Sequence, residues 1–163
     1  MLFLGELETG REVVSLGRTR ALPLLEEVAA AYADRAAHAE VALEVSGGDE
    51  IELPLRPRML RVVAENLVAN AIRYAGPGST CRISITQEGD VPRLTVADDG
   101  VGASQQDVER LFERFYRADT ARSSRGTGLG LAIVKHIVTS AGGSVEARGG
   151  PGTGLEIVCR FPA

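Results

Sequence analysis

One stretch constrains this chain more than any other, residues 57–75. Pro57 suits the first turn of a helix, where a missing N–H costs nothing. Leu60, Val63, Leu67, Ala71 and Tyr74 then recur at helical spacing as an inward stripe, and Gly76–Pro77–Gly78 ends the run. The same helix carries Asn66, Asn70 and Arg73, four and three residues apart, on one face. Three large polar groups cannot be plain core, because each would need a partner. They form either a solvated face or a row turned toward a ligand.

Around this helix the pattern alternates between helices and strands. Residues 22–37 have helical spacing and an alanine-rich body. Val41, Leu43 and Val45 alternate as a strand, 46–49 is a turn, and 51–55 reads as a short second strand. Cys81, Ile83 and Ile85 alternate with polar residues, and Leu94, Val96 and Asp98 share the parity of the following strand. A short helix is expected over 105–112, a polar stretch over 117–125 and a helix from about Gly128 to Ala141, stopped by Gly142–Gly143. Strands over 144–148 and 155–161 close the chain around a Gly-Pro-Gly-Thr-Gly turn. This order predicts a two-layer α/β (α+β) sandwich, with helices on one face of a mixed sheet.

Composition limits the classes open to it. A chain of 163 residues is one domain by length. A net charge of −4 argues against nucleic acid or a membrane surface as partner, and no apolar run approaches a membrane span of about 20 residues. Cys81 and Cys159 lie far apart without CxxC spacing, so they are expected as reduced core residues in a cytoplasmic setting. Lys135 is the only lysine, so a phosphate contact elsewhere falls to arginine, a backbone N–H or a polar side chain.

Two further stretches join the helix face. In DDGVG, residues 98–102, strand parity turns Asp98 inward, where a carboxylate needs a donor such as the exocyclic amine of adenine. Gly100 and Gly102 allow a sharp turn and close approach to a flat ring, though a plain tight turn explains them as well. GTGLGLAIVK, residues 126–135, is neither a Walker loop nor a dinucleotide fingerprint. It is a glycine-rich lead-in to a helix, whose free N–H groups attract phosphate, with Thr127 as a cap, or else simply a flexible loop. An Asn70 amide oxygen suits Mg²⁺. Arg73 is one turn on, and Arg117 lies in LFERFYRAD, residues 111–119, beside the polar stretch. Together these residues outline a site for magnesium-bound ATP.

In this order the motifs resemble the catalytic ATP-binding domain of bacterial two-component sensor histidine kinases. NLVANAIRYA is similar to the asparagine box, DDGVG to the first glycine box, LFERFYRAD to the phenylalanine box and GTGLGLAIVK to the second glycine box, with 152–154 as the last. The resemblance implies a Bergerat-type fold, with a five-stranded mixed sheet on three main helices and 117–125 as a mobile ATP lid. It implies that Asn70 holds Mg²⁺, Asp98 reads adenine, Asn66 and Arg73 lie near phosphates, Tyr74 packs by the base and Arg117 serves phosphoryl transfer. Gly100, Gly102 and the run Gly126, Thr127, Gly128, Leu129, Gly130 and Leu131 complete the implied ATP site. The family more often has lysine where Arg73 stands.

The same resemblance divides the chain into a stub of a preceding dimerisation domain, 1–20, and a catalytic domain, 21–163. Its implied partner is a histidine on that dimerisation domain, since neither His38 nor His136 lies in the acceptor pattern, with a response regulator further on. The implied parent is membrane-anchored. Related gyrase, mismatch-repair and chaperone ATPases place a hydrolytic glutamate four residues before the magnesium asparagine. Asn66 occupies that position here, so slow hydrolysis is expected. An ATP-hydrolysing or anti-sigma-type serine kinase relative, and a binding module without turnover, remain the competing readings.

Overall fold

A computed structural model describes residues 17–102, 108, 110–113, 130–149 and 153–162. Its elements are β1 (Thr19–Arg20), α1 (Ala21–Ala31), α2 (Ala33–His38), β2 (Ala42–Gly47), β3 (Glu52–Leu53) and α3 (Pro57–Ala75). Then come β4 (Thr80–Glu88), β5 (Val91–Asp98), α4 (Gly130–Ser140), β6 (Ser144–Gly149) and β7 (Leu155–Arg160). The main sheet has five strands in the order β2-β4-β5-β7-β6. β2 runs parallel to β4 and the other pairs are antiparallel, so the sheet is mixed. β1 and β3 form a separate two-stranded ribbon that ties Thr19–Arg20 to Glu52–Leu53.

Three helices cover one face of the sheet, with α3 in the middle, α1 on the β2 side and α4 on the β6 side. α3 has the bounds its punctuation predicts, with Pro57 in the first turn and Gly76 at φ 92° after the last residue. Leu60, Val63 and Leu67 are fully buried, and each such side chain contributes about 1.5–3 kcal/mol. Tyr74, expected on the inward stripe, is only half-buried. Cys81, Ile83, Ile85, Leu94, Val96, Ile157 and Cys159 supply the sheet side of the core. The two cysteines are free, and burial pushes both thiols up to about 12.

The single helix expected over 22–37 is instead two helices. Tyr32 breaks it at φ −100° and ψ 3°, its N–H shared between the carbonyls of Val28 and Ala29. Beyond Val28 the core-facing residues are Ala29 and Tyr32, both only partly buried, and Ala36 is the buried residue of α2. Of the short helix expected over 105–112, Val108 and Leu111 are buried. The polar stretch 117–125 lies outside the described residues. α4 ends as predicted: Gly142, at φ 87°, donates to the Thr139 carbonyl at 3.0 Å and Gly143 to the Val138 carbonyl at 2.9 Å.

Candidate functional site

The site is built where the second half of α3 meets the end of β5. Asn70 is a buried polar residue of α3, 7% exposed, and its side chain makes no hydrogen bond among the described residues. Leaving such a group unpaired costs about 1–3 kcal/mol, so a buried amide of this kind points to a ligand. One turn earlier, Asn66 donates its side-chain N–H to the Val62 carbonyl at 2.7 Å. Its Oδ1 abuts Gly130, where an added Cβ would lie 2.8 Å away. Asn66 and the first residue of α4 are thereby brought together, and a side chain at Gly130 would disturb that seam. Arg73 is exposed and makes no ion pair among the described residues.

The other wall is the loop after β5. Asp98 shares its inward parity with Leu94 and Val96, as expected, and is half-buried. Its Oδ1 accepts the N–H of Gly100 at 2.9 Å, closing a turn of the Asx type. The Leu155 N–H also reaches the carboxylate. Burial raises the Asp98 carboxyl above its ordinary value. The two N–H groups oppose that shift, and the neighbouring Asp99 charge adds to it. Asp99 itself turns away, its Oδ1 accepting the Thr80 N–H at 2.7 Å.

Gly100 is glycine for a reason the sequence did not reveal. A Cβ there would lie 2.0 Å from the Ala75 carbonyl oxygen, so the loop lies against the last residue of α3. Val101 N–H then donates to that same carbonyl at 2.9 Å. Gly102 is buried at φ 71°, a left-handed conformation that glycine adopts without strain. Gly154, at φ 80°, is packed so closely that a Cβ would lie 2.0 Å from the Asp98 carbonyl oxygen. A plain turn reading of 152–154 missed this contact; the last-glycine-box resemblance was the available signal.

α3 thus joins the motifs: Asn66 meets Gly130, and Ala75 meets Gly100 and Val101, with Asn70 between them on the same helix. Tyr74 is half-buried in the last turn, and the Leu131 side chain is buried in the core. Arg117, Gly126, Thr127, Gly128 and Leu129 lie outside the described residues. A polar groove of about 410 Å³, lined in part by Arg18, Glu52, Gln87 and Asp90, sits by the β4–β5 turn, the opposite end of β5 from Asp98. Among the described residues no cluster of three or more His, Cys, Asp or Glu could hold a metal, and no helix is long and apolar enough to cross a membrane.

Comparison with known proteins gives the family and the fold. Residues 55–163 match the family described as histidine kinase-, DNA gyrase B-, and HSP90-like ATPases. The sensor protein IrlS of Burkholderia pseudomallei is 35% identical over 165 residues, covering 100% of this chain and 35% of its own length. The chain therefore spans about a third of that curated relative. The solved mycobacterial sensor histidine kinase MprB superposes with a TM-score of 0.79 at 25% identity, over 89% of this chain and 97% of its own. Full-length ShkA, solved in complex with AMPPNP, superposes with a TM-score of 0.78 at 26% identity, over 91% of this chain and 31% of its own. The chain belongs to the histidine kinase-, DNA gyrase B- and HSP90-like ATPase family, as an ATPase domain of the sensor histidine kinase type.

Proposed function

We propose that this domain binds MgATP and transfers its γ-phosphoryl group to a histidine on a dimerisation domain, for onward relay to a response regulator. The observation that carries the reading is the buried amide of Asn70, unpaired among the described residues, on the helix that is tied to the Asp98 loop. The AMPPNP complex of ShkA supports a nucleotide as the occupant. In this reading residues 21–163 are the catalytic domain and 1–20 the end of what precedes it. The domain works in the cytoplasm, within a membrane-anchored parent.

Asp98 accepts the exocyclic amine of adenine, and Tyr74 packs by the base. Gly100 and Gly102 keep the loop clear of the ring. Asn70 offers its amide oxygen to Mg²⁺, and Asn66 and Arg73 lie by the phosphates. Gly126, Thr127, Gly128, Leu129, Gly130 and Leu131 supply backbone N–H groups to phosphate oxygens. Bound Mg²⁺ neutralises charge on the phosphates. Arg117 stabilises the departing γ-phosphoryl group, and the protein acts by positioning and charge neutralisation rather than by covalent chemistry. Asn66 supplies no carboxylate to activate water, so the nucleotide is kept for the acceptor.

The test combines the domain, Mg²⁺ and γ-labelled ATP with a purified acceptor hairpin. Acid-labile, base-stable label on the hairpin supports transfer to histidine. Rapid phosphate release without acceptor would instead identify a hydrolase, and tight binding with neither outcome a module without turnover. Arg117→Ala is expected to cut transfer far more than ATP affinity.

A further inference from the structure

On the helix-facing side of β4 the buried residues are Cys81, Ile83 and Ile85, and Gln87, of the same parity, is exposed at the far end of the strand. On the same side of β5 they are Pro92, Leu94, Val96 and finally Asp98. Each strand therefore has one residue at least half-buried on this side that is not a plain hydrocarbon, and the register sets these two directly opposite each other. Directly opposed side chains on an antiparallel pair have Cβ atoms about 4.5–5.5 Å apart. Across its other flank Cys81 is paired with Leu43 of β2. Cys81 is 0% exposed.

Asp98 takes its hydrogen bonds elsewhere, from the backbone N–H groups of Gly100 and Leu155. An ionised carboxylate accepts at about four lone-pair sites, so capacity remains. Cys81 makes no hydrogen bond to it. A hydroxyl at position 81, in the same place, would be a competent donor to the carboxylate, whereas a thiol is a weak one. The other groups around Asp98 leave that difference exposed. Asp99 is a like charge and is engaged by Thr80. β7 contributes the Leu155 N–H, while Glu156 is on the outer face of the sheet, paired with Ala97. The last turn of α3 carries Arg73 and Tyr74 as its ionisable side chains.

We propose that Cys81 is a positioning residue for nucleobase recognition, a sealed side chain that offers Asp98 no competing hydroxyl and so leaves the free lone pairs of the carboxylate to the base. This rests on the assignment of Asp98 to adenine. It is consistent with the thiol itself, which burial first and the Asp98 charge second hold protonated. The buried Asn70, unpaired among the described residues on the helix tied to this loop, marks the same end of the domain as ligand-bearing.

The experiment reads the Asp98 carboxyl by ¹³C NMR titration in the nucleotide-free domain, and ATP affinity by calorimetry, for wild type, Cys81→Ser, Cys81→Val and Asp98→Asn. Cys81→Ser is expected to lower the Asp98 midpoint by about half a pH unit or more, because a hydrogen bond to the charged form favours that form. It is also expected to weaken ATP binding several-fold. Cys81→Val, which brings no donor, leaves the midpoint where the wild type has it. Thermal melts confirm folding, with Cys81→Thr and Cys81→Ala as substitutes where a first variant does not fold. If the donor and non-donor variants titrate alike while Asp98→Asn loses ATP, the proposal alone falls. If Asp98→Asn binds ATP as the wild type does, the base assignment falls and takes the proposal with it.

Discussion

The carbonyl oxygen of Ala75 accepts the N–H of Val101 at 2.9 Å, joining the last residue of α3 to the loop that follows Asp98. Because Asn70 lies five residues before Ala75 on one rigid helix, this bond fixes the distance between an amide unpaired among the described residues and a half-buried carboxylate. Gly100 is the residue that permits it, since a Cβ there would lie 2.0 Å from the same oxygen. Gly100→Ala must push the loop off the helix end. Overpacking of this kind costs about 1–3 kcal/mol. We expect a fall in melting temperature together with a loss of ATP affinity, because the loop carries Asp98 with it. A variant that melts lower but binds ATP normally would separate the loop from the site.

Asn70→Leu tests the amide without opening a cavity. Leucine is close to asparagine in shape and leaves no polar atom unpaired. Replacing an unsatisfied buried group by a hydrocarbon recovers up to the 1–3 kcal/mol that the group costs, roughly, where the site accepts the shape. The expected outcome is a nucleotide-free domain as stable as the wild type or more so in urea, with Mg²⁺-dependent ATP binding lost. Destabilisation by several kcal/mol would mean that Asn70 is a structural amide.

Asp98 makes stability depend on pH with a definite sign. Its carboxyl titrates above the ordinary value of 3.8 in the folded domain, chiefly through burial. The folded state therefore holds that proton more tightly than the unfolded one. As pH rises from the ordinary value through the raised one, the folded state loses stability on account of this group. Asp98→Asn removes the titration. Its stability relative to wild type should therefore climb between pH 3.5 and pH 7 in urea melts, even as ATP binding is lost. Parallel curves would mean that the carboxyl is not held up by burial. The size of the effect is modest, because the group is only half-buried.

Much of this was legible because the punctuation is local. Pro57 and Gly76 bracket α3 in the sequence as they do in the structure, and the parity of Leu94, Val96 and Asp98 predicted the inward turn of the carboxylate. The break at Tyr32 was not legible, since alanines carry too little hydrophobic contrast to mark where a helix turns in. The reasons for Gly100 and Gly154 were hidden for another cause. Each answers a carbonyl far away in the chain, Ala75 for one and Asp98 for the other, and such contacts have no local signature. Cys81 read as core, which it is; only the strand register shows that it stands opposite Asp98.

Glu40 offers a test of the scaffold apart from the site. It is the one non-glycine residue with positive φ among the described residues, at 60°, just after α2. Its N–H donates to the Ala37 carbonyl and its carbonyl accepts the Gly78 N–H at 2.8 Å, so the left-handed conformation is held from both sides. An L side chain there costs about 1–2 kcal/mol, and glycine gives back part of that as unfolded-state entropy, about 0.5–1 kcal/mol. Glu40→Gly should therefore stabilise the domain by about 0.5–1 kcal/mol, or roughly 1–4 °C in melting temperature for a chain of this size. ATP affinity should not move, because the Glu40 turn contacts Gly78 and the start of β2 rather than Asp98 or Asn70. A lower melting temperature would show that the carboxylate of Glu40 stabilises the turn by more than its backbone strain costs.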